Sequence, residues 1–355
     1  MAAVETGERR RRPQALLRAA RAARGGVARL QRRMVPPPTA MLDLIHGHRV
    51  TQAVYVAARL GIADELTAGP LTPGEIARRV EADPDSIRRL LRALAALEVF
   101  AVLPDGRFTL TPLADTLRSD HPRSMRSAAL YWGAPQHWEH WGHLLEAVRG
   151  GRPVVPALRG TDVWTYLESE PEFAAAFDAA KEVSAEPAEV VDAYDFTGFQ
   201  TVVDVGGGGA ALLQTVLAAA PQARGVLYGR SGAVEVGERC VVEEGSFFDR
   251  VPEGADCYLL KNVLHDWTEQ RALQILGAVR RAIAPTGRLL LVEAVLPEGN
   301  VPHPGKLADL EMLLLVGGRE RTERDYRALL ALAGFELTRV VPTASPLSVV
   351  EAAPA

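Results

Sequence analysis

The sequence predicts an α/β protein whose carboxyl-terminal half is a mostly parallel sheet with helices on both faces. Two observations carry this prediction. From Gln200 onward, short apolar strands alternate with segments of helical spacing. The first strand, at residues 201–205, runs directly into the glycine run Gly206–Gly209, after which helical spacing resumes. The region before Gln200 is largely helical, so we expect it to be organised separately.

Composition and charge indicate which classes of protein this chain can belong to. The 355 residues are 48% hydrophobic and 24% charged, as in ordinary globular proteins, and suffice for two domains. The net charge of −4 gives no reason to expect nucleic acid or an anionic membrane as a partner, and no apolar run is long enough to cross a bilayer. Cys240 and Cys257 are the only cysteines and lack a metal-ligand spacing, so we expect a cytoplasmic protein without a bound metal.

Arginine dominates residues 1–35, which we expect to form a disordered arm. Such arms can bind nucleic acid or anionic lipid. A transit peptide is a further interpretation, but the segment lacks serine and contains Glu5 and Glu8. A start codon placed too early, with Met34 as the natural beginning, explains the arm equally simply. Three prolines at 36–38 mark the boundary.

Residues 36–120 have the pattern of a winged helix-turn-helix. Thr72 and Asp83 each precede a proline at the start of a helical segment, as helix caps do. Two short apolar runs then flank Pro104-Asp105-Gly106, which predicts a hairpin. DNA binding is the familiar use of this motif. The second helix carries only Arg88, Arg89 and Arg92 as basic residues, which could equally be its solvated face.

Residues 121–198 are predicted to be a helical linker that contributes to a substrate pocket. Aromatic residues and histidines are concentrated there: Tyr131, Trp132, His137, Trp138, His140, Trp141 and His143. The histidines suggest a metal, but their spacing fits one helix running past a pocket or core, and no set of carboxylates accompanies them. Packing is one role for this cluster. Substrate contact, with Trp132 and Trp138 lining the pocket, is the other.

The final region, residues 199–355, contains seven predicted strands. They span residues 201–205, 224–228, 240–243, 256–260, 287–293, 335–341 and 346–351. Ligands of such sheets bind beyond the carboxyl ends of the strands. The glycine run at 206–209 suits a nucleotide or adenosyl ligand, although a glycine-rich turn that binds nothing has the same pattern. No carboxylate follows the second strand before Glu235, where a ribose would need one.

Five motifs make the chain similar to a known family. They are Asp204-Val-Gly-Gly-Gly208, Gly245-Ser-Phe-Phe248, Leu264-His-Asp-Trp267, Gly287-Arg-Leu-Leu-Leu-Val-Glu293 and Gly317-Gly-Arg-Glu-Arg-Thr322. Over residues 36–353 the chain resembles small-molecule O-methyltransferases of the caffeic-acid type and their actinobacterial polyketide-tailoring relatives. The resemblance implies a Rossmann-like class I methyltransferase fold, S-adenosylmethionine (SAM) as methyl donor, and a homodimer formed through the winged helix.

The resemblance also assigns roles to residues. His265 would remove the proton of the acceptor hydroxyl, with Glu293 and Glu320 orienting its ring, and a histidine suits that task at neutral pH. A loop histidine beside a helix cap is the alternative interpretation of His265. The remaining assignments concern ligand contacts. Those to the cofactor are Asp204, Gly206, Gly208, Ser246, Phe247 and Lys261, and those to the substrate include Asp309, Glu311 and Met312.

The chain departs from the family pattern at several positions. On the cofactor side, Ala210 replaces a glycine, Gly229 replaces the ribose-binding acid, Ser246 replaces an aspartate, and the segment before Cys240 is short. These changes predict SAM bound weakly or not at all, because each lost hydrogen bond to a charged acceptor costs about 1.5–3 kcal/mol. On the substrate side, Lys181 stands where relatives carry methionine.

The departures therefore favour an enzyme of this family that does not transfer methyl. We expect acid–base chemistry on an aromatic or polyketide-like substrate: cyclisation, isomerisation, elimination or decarboxylation. His265 and Glu293 would carry it, with Lys181 paired to Glu311 as a further catalytic group. The main alternative is an ordinary SAM-dependent O-methyltransferase with His265 as general base. An inactive binding protein, or an NADP enzyme using Arg230, would fit the same pattern less well.

Overall fold

A computed structural model describes residues 23, 25–27, 29–183, 186–229 and 235–355. Most of the predicted arginine-rich arm, and Arg230, lie outside the described residues. Residues 29–33, near the end of the arm, are helical. The chain divides into two compact units. One comprises the described parts of 1–26, 143–163 and 184–355, and the other comprises 27–142 and 164–183. No helix in the described parts combines the length and hydropathy needed to cross a bilayer.

The unit containing residues 27–142 holds the helices and hairpin predicted for 36–120. Its elements are α1 (Pro37–Arg59), α2 (Ile62–Glu65), α3 (Pro73–Arg79), α4 (Pro84–Ala95), β1 (Phe100–Val102), β2 (Phe108–Leu110) and α5 (Pro112–Asp115). The Thr72 hydroxyl accepts a hydrogen bond from the Glu75 N–H, and Asp83 accepts one from Ser86, so both predicted caps form. β1 and β2 pair in antiparallel register around the predicted turn.

An apolar face of α1 is exposed within this unit. Met41, Leu42, Leu44 and Ile45 are each 49–61% exposed. This helix runs from Pro37, a residue favoured at a first helical position, to Arg59. A contiguous apolar face of this kind indicates a surface that another protein covers.

The predicted linker at 121–198 is divided between the two units. The unit that contains residues 27–142 has four of the linker's described helices: α6 (Arg126–Gly133), α7 (Pro135–Gly142), α10 (Val163–Ser169) and α11 (Pro171–Val183). The unit that contains the sheet has three: α8 (Leu144–Gly150), α9 (Val155–Arg159) and α12 (Pro187–Ala193). Tyr131 of α6 stacks on Phe173 of α11 at 5.2 Å, which joins these helices. The Val154 N–H instead donates to the Leu314 carbonyl at 2.9 Å. Packing contacts, rather than position along the chain, therefore determine which unit each of these helices joins.

The other unit is built on an eight-stranded sheet. Its strands are β3 (Thr201–Val205), β4 (Arg224–Gly229), β5 (Cys240–Glu244), β6 (Cys257–Lys261), β7 (Arg288–Leu296), β8 (Arg321–Thr322), β9 (Phe335–Pro342) and β10 (Leu347–Pro354). Their order is β5-β4-β3-β6-β7-β10-β9, with β8 beside β7. β3 to β8 pair in parallel, and β10 is antiparallel to both neighbours. The predicted mostly parallel sheet is confirmed, and the two-residue β8 was not predicted.

Helices cover both faces of this sheet. The helices that alternate with the strands along the chain are α13 (Ala211–Ala219), α14 (Glu269–Ala282), α15 (Gly305–Leu315) and α16 (Glu323–Leu332). Apolar residues of α14 and α16 pack on one face, and those of α12 and α13 pack on the other. The strand order reverses beside β3, which has β4 on one side and β6 on the other. A crevice for a ligand forms at such a point, beyond the carboxyl ends of the strands.

Candidate active site

The turn after β3 has a backbone that requires glycine at three positions. Gly206 and Gly208 have φ angles of +76° and +53°, in the left-handed region. A β-carbon on Gly207 would overlap the carboxylate of Asp204. Ala210 also adopts a left-handed conformation, with φ of +61°, immediately before α13. The turn therefore keeps its tight form although alanine occupies its last position.

Asp204 is a buried carboxylate beneath this turn. It is 0% exposed, and neither of its oxygens has a hydrogen-bond partner among the described residues. Burial raises the pKa of Asp204 to about 7, against the opposing effect of the positive charge on Lys261. A buried carboxylate without a hydrogen bond indicates a site for a donor or a cation that binds there.

The turn after β6 carries His265 and lies beside the glycine turn. It is a single 3-10 turn, Leu264–Asp266. A β-carbon on Gly206 would lie 3.1 Å from Cγ2 of Val263 and 3.6 Å from Cε1 of Phe247, so both side chains border the glycine turn. The structure thus brings the predicted cofactor residues Gly206 and Phe247 close to the predicted catalytic turn.

Three carboxylates surround the His265 ring. Nδ1 lies 2.8 Å from Oε1 of Glu320, at hydrogen-bond distance, and 3.8 Å from Oε2 of Glu293. Nε2 lies 3.3 Å from Oδ1 of Asp266, but forms no hydrogen bond within the described part of the chain. The histidine side chain is 12% exposed. Three of the four residues predicted to be catalytic, His265, Glu293 and Glu320, are therefore together, whereas the fourth, Lys181, belongs to the other unit.

Backbone contacts hold these side chains in place. Oε1 of the fully buried Glu293 accepts hydrogen bonds from the N–H groups of Val263 and Leu264, at 3.0 and 2.9 Å. The N–H of Glu320 donates to Oδ1 of Asp309 at 2.8 Å. We predicted Asp309 as a substrate contact. The structure shows that one of its oxygens fixes the segment carrying Glu320.

The carboxylates change the basicity of the histidine. Burial alone would lower the pKa of His265, but Asp266, Glu293 and Glu320 outweigh it and raise the pKa to about 9. Burial raises the pKa of Glu293 to about 7, against the opposing charge of His265. At neutral pH the cluster therefore holds a proton on the imidazole.

This arrangement is suited to moving a proton at one nitrogen. Because Nδ1 is hydrogen-bonded to Glu320, Nε2 is the atom that can take a proton from a ligand. His265, Glu293 and Glu320 also present donor atoms within 4.8 Å of one another, a spacing at which a metal ion could bind. The 2.8 Å contact between Nδ1 and Glu320 is, however, that of an oriented histidine base. The expectation of no metal stays a prediction.

Comparisons with known proteins identify the family. A family model for the O-methyltransferase domain matches residues 141–336, and one for the O-methyltransferase dimerisation domain matches residues 42–120. This chain belongs to the O-methyltransferase family. The phenazine O-methyltransferase PhzM of Lysobacter antibioticus is 42% identical over 332 residues, which are 90% of this chain and 97% of that protein.

Two solved structures of relatives contain the methyl donor or its product. The calicheamicin-biosynthesis methyltransferase CalO1, in its SAH-bound form, has a TM-score of 0.79 and 36% identity, covering 90% of this chain and 98% of that one. The O-methyltransferase NcsB1 from neocarzinostatin biosynthesis, in complex with SAM and 2-hydroxy-5-methyl naphthoic acid, has a TM-score of 0.70 and 32% identity, covering 86% and 96%. The resemblance to the family and the class I methyltransferase fold are confirmed.

The expectation of a non-methylating enzyme is wrong. Relatives that cover nearly the whole chain are methyltransferases, and two of them were crystallised with SAM or SAH. The expectation rested on Ala210, Gly229 and Ser246, all on the cofactor side of the cleft. The resemblance assigns these positions to the surroundings of the cofactor, whereas the residues around His265 follow the family pattern. The chain is therefore an enzyme of the methyltransferase family, and the same comparisons do not support absent or weak SAM binding.

The other cofactor positions have distinct surroundings. Gly229 has a φ of +151°, and a β-carbon there would lie 3.5 Å from Cα of Gly206, so this position faces the glycine turn. Ser246 is exposed after β5. The rings of Phe247 and Trp267 meet edge-on at 6.1 Å. The resemblance places the ribose acid at 229, and the structure shows that this backbone conformation favours glycine.

The predicted substrate residues of the other unit lie among aromatic rings. Nζ of Lys181 is 5.2 Å from the ring centre of Phe177 and 5.8 Å from that of Trp164. Trp132 is 39% exposed and meets Tyr131 edge-on. The ring of Trp138 packs edge-on against His48. Lys181 and Glu311 belong to different units, so their pairing stays a prediction, as do the substrate contacts of Glu311 and Met312.

The buried histidines of this unit pack against tyrosines. The ring of His137 lies 4.8 Å from that of Tyr131, and the ring of His140 lies 6.0 Å from that of Tyr166. Burial lowers the pKa of His137 to about 3, so it is neutral at physiological pH. These contacts support the packing role that the sequence suggested for the cluster.

Sequence reasoning missed two buried polar residues near the carboxylates that surround His265. Arg321 is 2% exposed and Tyr326 is 0% exposed. Arg321 lies inside the quoted motif at 317–322, but an arginine in a motif gives no sign of being buried. The helical spacing of Tyr326 with Leu329 and Leu330 predicts only a core position.

Proposed function

We propose that this enzyme transfers a methyl group from SAM to a hydroxyl group on an aromatic small molecule. One observation carries the proposal: Nδ1 of His265 is bound to Glu320 beside the glycine turn, which leaves Nε2 to act as general base. The carboxylates around the ring stabilise the imidazolium that forms when Nε2 takes the hydroxyl proton. Methylation of an oxygen needs that step, because a phenolate is a stronger nucleophile than a phenol.

The residues of the glycine turn fit SAM. Gly206 and Gly208 leave room for a ligand to approach the backbone, and α13 begins directly after the turn. Asp204 offers a buried carboxylate with no hydrogen bond among the described residues, which suits the cationic amino group of a methionine moiety. We propose that these residues, with Phe247 and Lys261, hold the cofactor. When bound, SAM supplies an electrophilic methyl group.

The acceptor is proposed to be a planar hydroxylated arene. The support is the similarity to a phenazine O-methyltransferase and to a protein crystallised with a naphthoic acid. The proposed acceptor hydroxyl approaches Nε2, and its proton moves to that nitrogen. Glu320 keeps the ring oriented at Nδ1, and Glu293 adds negative charge 3.8 Å from the same atom. The enzyme is proposed to act as a homodimer through the domain that contains α1.

Methyl transfer from isotope-labelled SAM tests the proposal. Purified enzyme is incubated with a panel of hydroxyphenazines and hydroxynaphthoic acids, and labelled products are identified by mass spectrometry. We expect a methyl ether from at least one acceptor. His265→Gln should lower turnover by about two to four orders of magnitude, the contribution of a general base, while SAM binding is retained. An enzyme that binds neither SAM nor its demethylated product in a calorimeter would overturn the proposal.

A further inference from the structure

A buried cation lies directly behind the turn that carries His265. Nη1 of Arg321 donates hydrogen bonds to the carbonyl of Leu264 at 3.2 Å and to that of Arg319 at 3.3 Å. Leu264 precedes His265, and Arg319 precedes Glu320. One guanidinium group therefore connects the segment bearing the base to the segment bearing its hydrogen-bond partner.

We propose that Arg321 is a positioning residue that fixes the distance between His265 and Glu320 and balances the charge of the buried carboxylates around them. This inference deepens the proposed function, on which its kinetic test rests. A residue buried to 2% exposure that also carries a charge is costly to keep, so its interactions must compensate. Its two carbonyl contacts supply part of that compensation.

Both N–H groups and carbonyl groups of the turn bearing His265 are hydrogen-bonded to neighbouring segments. Glu293 accepts hydrogen bonds from the N–H groups of Val263 and Leu264, whereas Arg321 donates to the carbonyl of Leu264. The N–H of Arg319 donates to the carbonyl of His265 at 2.9 Å. A side chain on Gly318 would overlap that carbonyl, so the two segments are in direct contact. Loss of the guanidinium would leave the Leu264 carbonyl buried without this partner.

Arg321 adds a second positive charge to the surroundings of the base. Asp266, Glu293 and Glu320 face the His265 ring, and Asp309 contacts the backbone of Glu320. A protonated His265 and Arg321 together supply two positive charges against the three carboxyls nearest the ring. The charge of Arg321 also acts on Asp309 and on the buried hydroxyl of Tyr326. Without Arg321, the carboxylates would hold the histidine proton more tightly.

Three variants separate the effect of the Arg321 charge from that of its hydrogen bonds. Arg321→Met removes both the charge and the hydrogen bonds. Arg321→Lys keeps the charge, but its shorter side chain does not carry a donor as far as Nη1, which weakens the contacts to the Leu264 and Arg319 carbonyls. Arg324→Met is the matched control, because the side chain of Arg324 is 80% exposed three residues away and its ion-pair partner is the exposed Glu298. Each variant is assayed for kcat and KM between pH 6 and 10, for SAM affinity and for thermal stability.

We expect Arg321→Met to lower kcat at least about tenfold and to move the ascending limb of the pH profile to higher pH, with SAM affinity within about twofold of wild type. Arg321→Lys should lower kcat but leave the limb in place. Arg324→Met should match the wild type in both kcat and the position of the limb. A folded Arg321→Met with the kcat and pH limb of wild type would overturn the proposal. If that variant does not fold, Arg321→Lys with a wild-type kcat would do so.

The titration of His265 provides a measurement that does not depend on methyl transfer. NMR of imidazole-labelled histidine in the wild type and Arg321→Met reports the pKa of the ring directly. A higher pKa in the variant supports the charge-balancing role even if no acceptor substrate is found. An unchanged pKa in a folded variant would refute that role, whatever the outcome of the activity assays.

Discussion

Replacement of Glu320 by glutamine should make the catalytic histidine less basic. The rise of the His265 pKa from 6.5 to about 9 corresponds to a preference of about 3 kcal/mol for the imidazolium. Three carboxylates supply it against the cost of burial, and Glu320 alone makes the 2.8 Å hydrogen bond. A hydrogen bond to a charged group contributes about 1.5 kcal/mol, so loss of the Glu320 charge should lower the pKa of His265 by about one pH unit.

The assay is kcat/KM for methyl transfer as a function of pH, because this quantity reports the ionisations of the free enzyme. In the wild type we expect it to rise with pH and to level off above about pH 9, since Nε2 must be unprotonated to act. In Glu320→Gln the rise should occur about one pH unit lower, and the plateau should fall about ten- to a hundredfold because the ring loses its orientation. Glu323→Gln, an exposed substitution three residues away, is the control.

The pH dependence of thermal stability independently checks that the pKa of His265 is raised, and not lowered, by folding. A histidine whose pKa is higher in the folded state stabilises the fold fully below pH 6.5, and this stabilisation is lost as the pH rises through about 9. We expect the wild type to lose more stability than Glu320→Gln between pH 7 and 10. A wild-type rise in kcat/KM centred near pH 6.5, or the same profile in both proteins, would refute this account of the base.

Three further predictions concern the cofactor, the dimer and the substrate. Ser246→Asp should tighten SAM binding about tenfold or more in calorimetry, because it restores a charged acceptor, whereas Gly229→Asp should not, because φ of +151° disfavours a side chain there. Equal gains from both variants would contradict this. Leu44→Asp with Ile45→Asp should convert a dimer to a monomer in sedimentation, and a wild-type monomer would contradict the assigned role of α1. Lys181→Met should raise KM for carboxylate-bearing acceptors more than for neutral ones, and an equal effect on both would exclude an anchoring role.

The sequence predicted regular elements well where short-range chemistry determines them. The caps at Thr72 and Asp83 and the strands that follow Gln200 depend on neighbouring residues and on alternation with helices. The division of 121–198 between two units was not predictable, because it depends on contacts such as that of Tyr131 with Phe173, 42 positions apart. The two-residue β8 is too short for any periodic signal.

The structure brings together three of the residues predicted for the catalytic centre, and their catalytic roles stay a prediction, whereas the reaction was predicted incorrectly. His265 follows β6, Glu293 lies within β7 and Glu320 directly precedes β8. They come together because β7 pairs with both β6 and β8. The substitutions at 210, 229 and 246 were given too much weight, because a lost ligand hydrogen bond changes affinity rather than the chemical step. The buried surroundings of Arg321 could not be read from a motif.

The two oxygens of Glu293 have separate tasks, and this affects how the enzyme can evolve. Oε1 satisfies the N–H groups of Val263 and Leu264, whereas Oε2 faces the imidazole. A lineage that stopped methylating would still need Oε1 to keep the turn folded. Selection for stability would therefore preserve Glu293 after selection for activity had ended. Glu320 makes its side-chain hydrogen bond to the base itself, so its identity is the better indicator of which family members still catalyse.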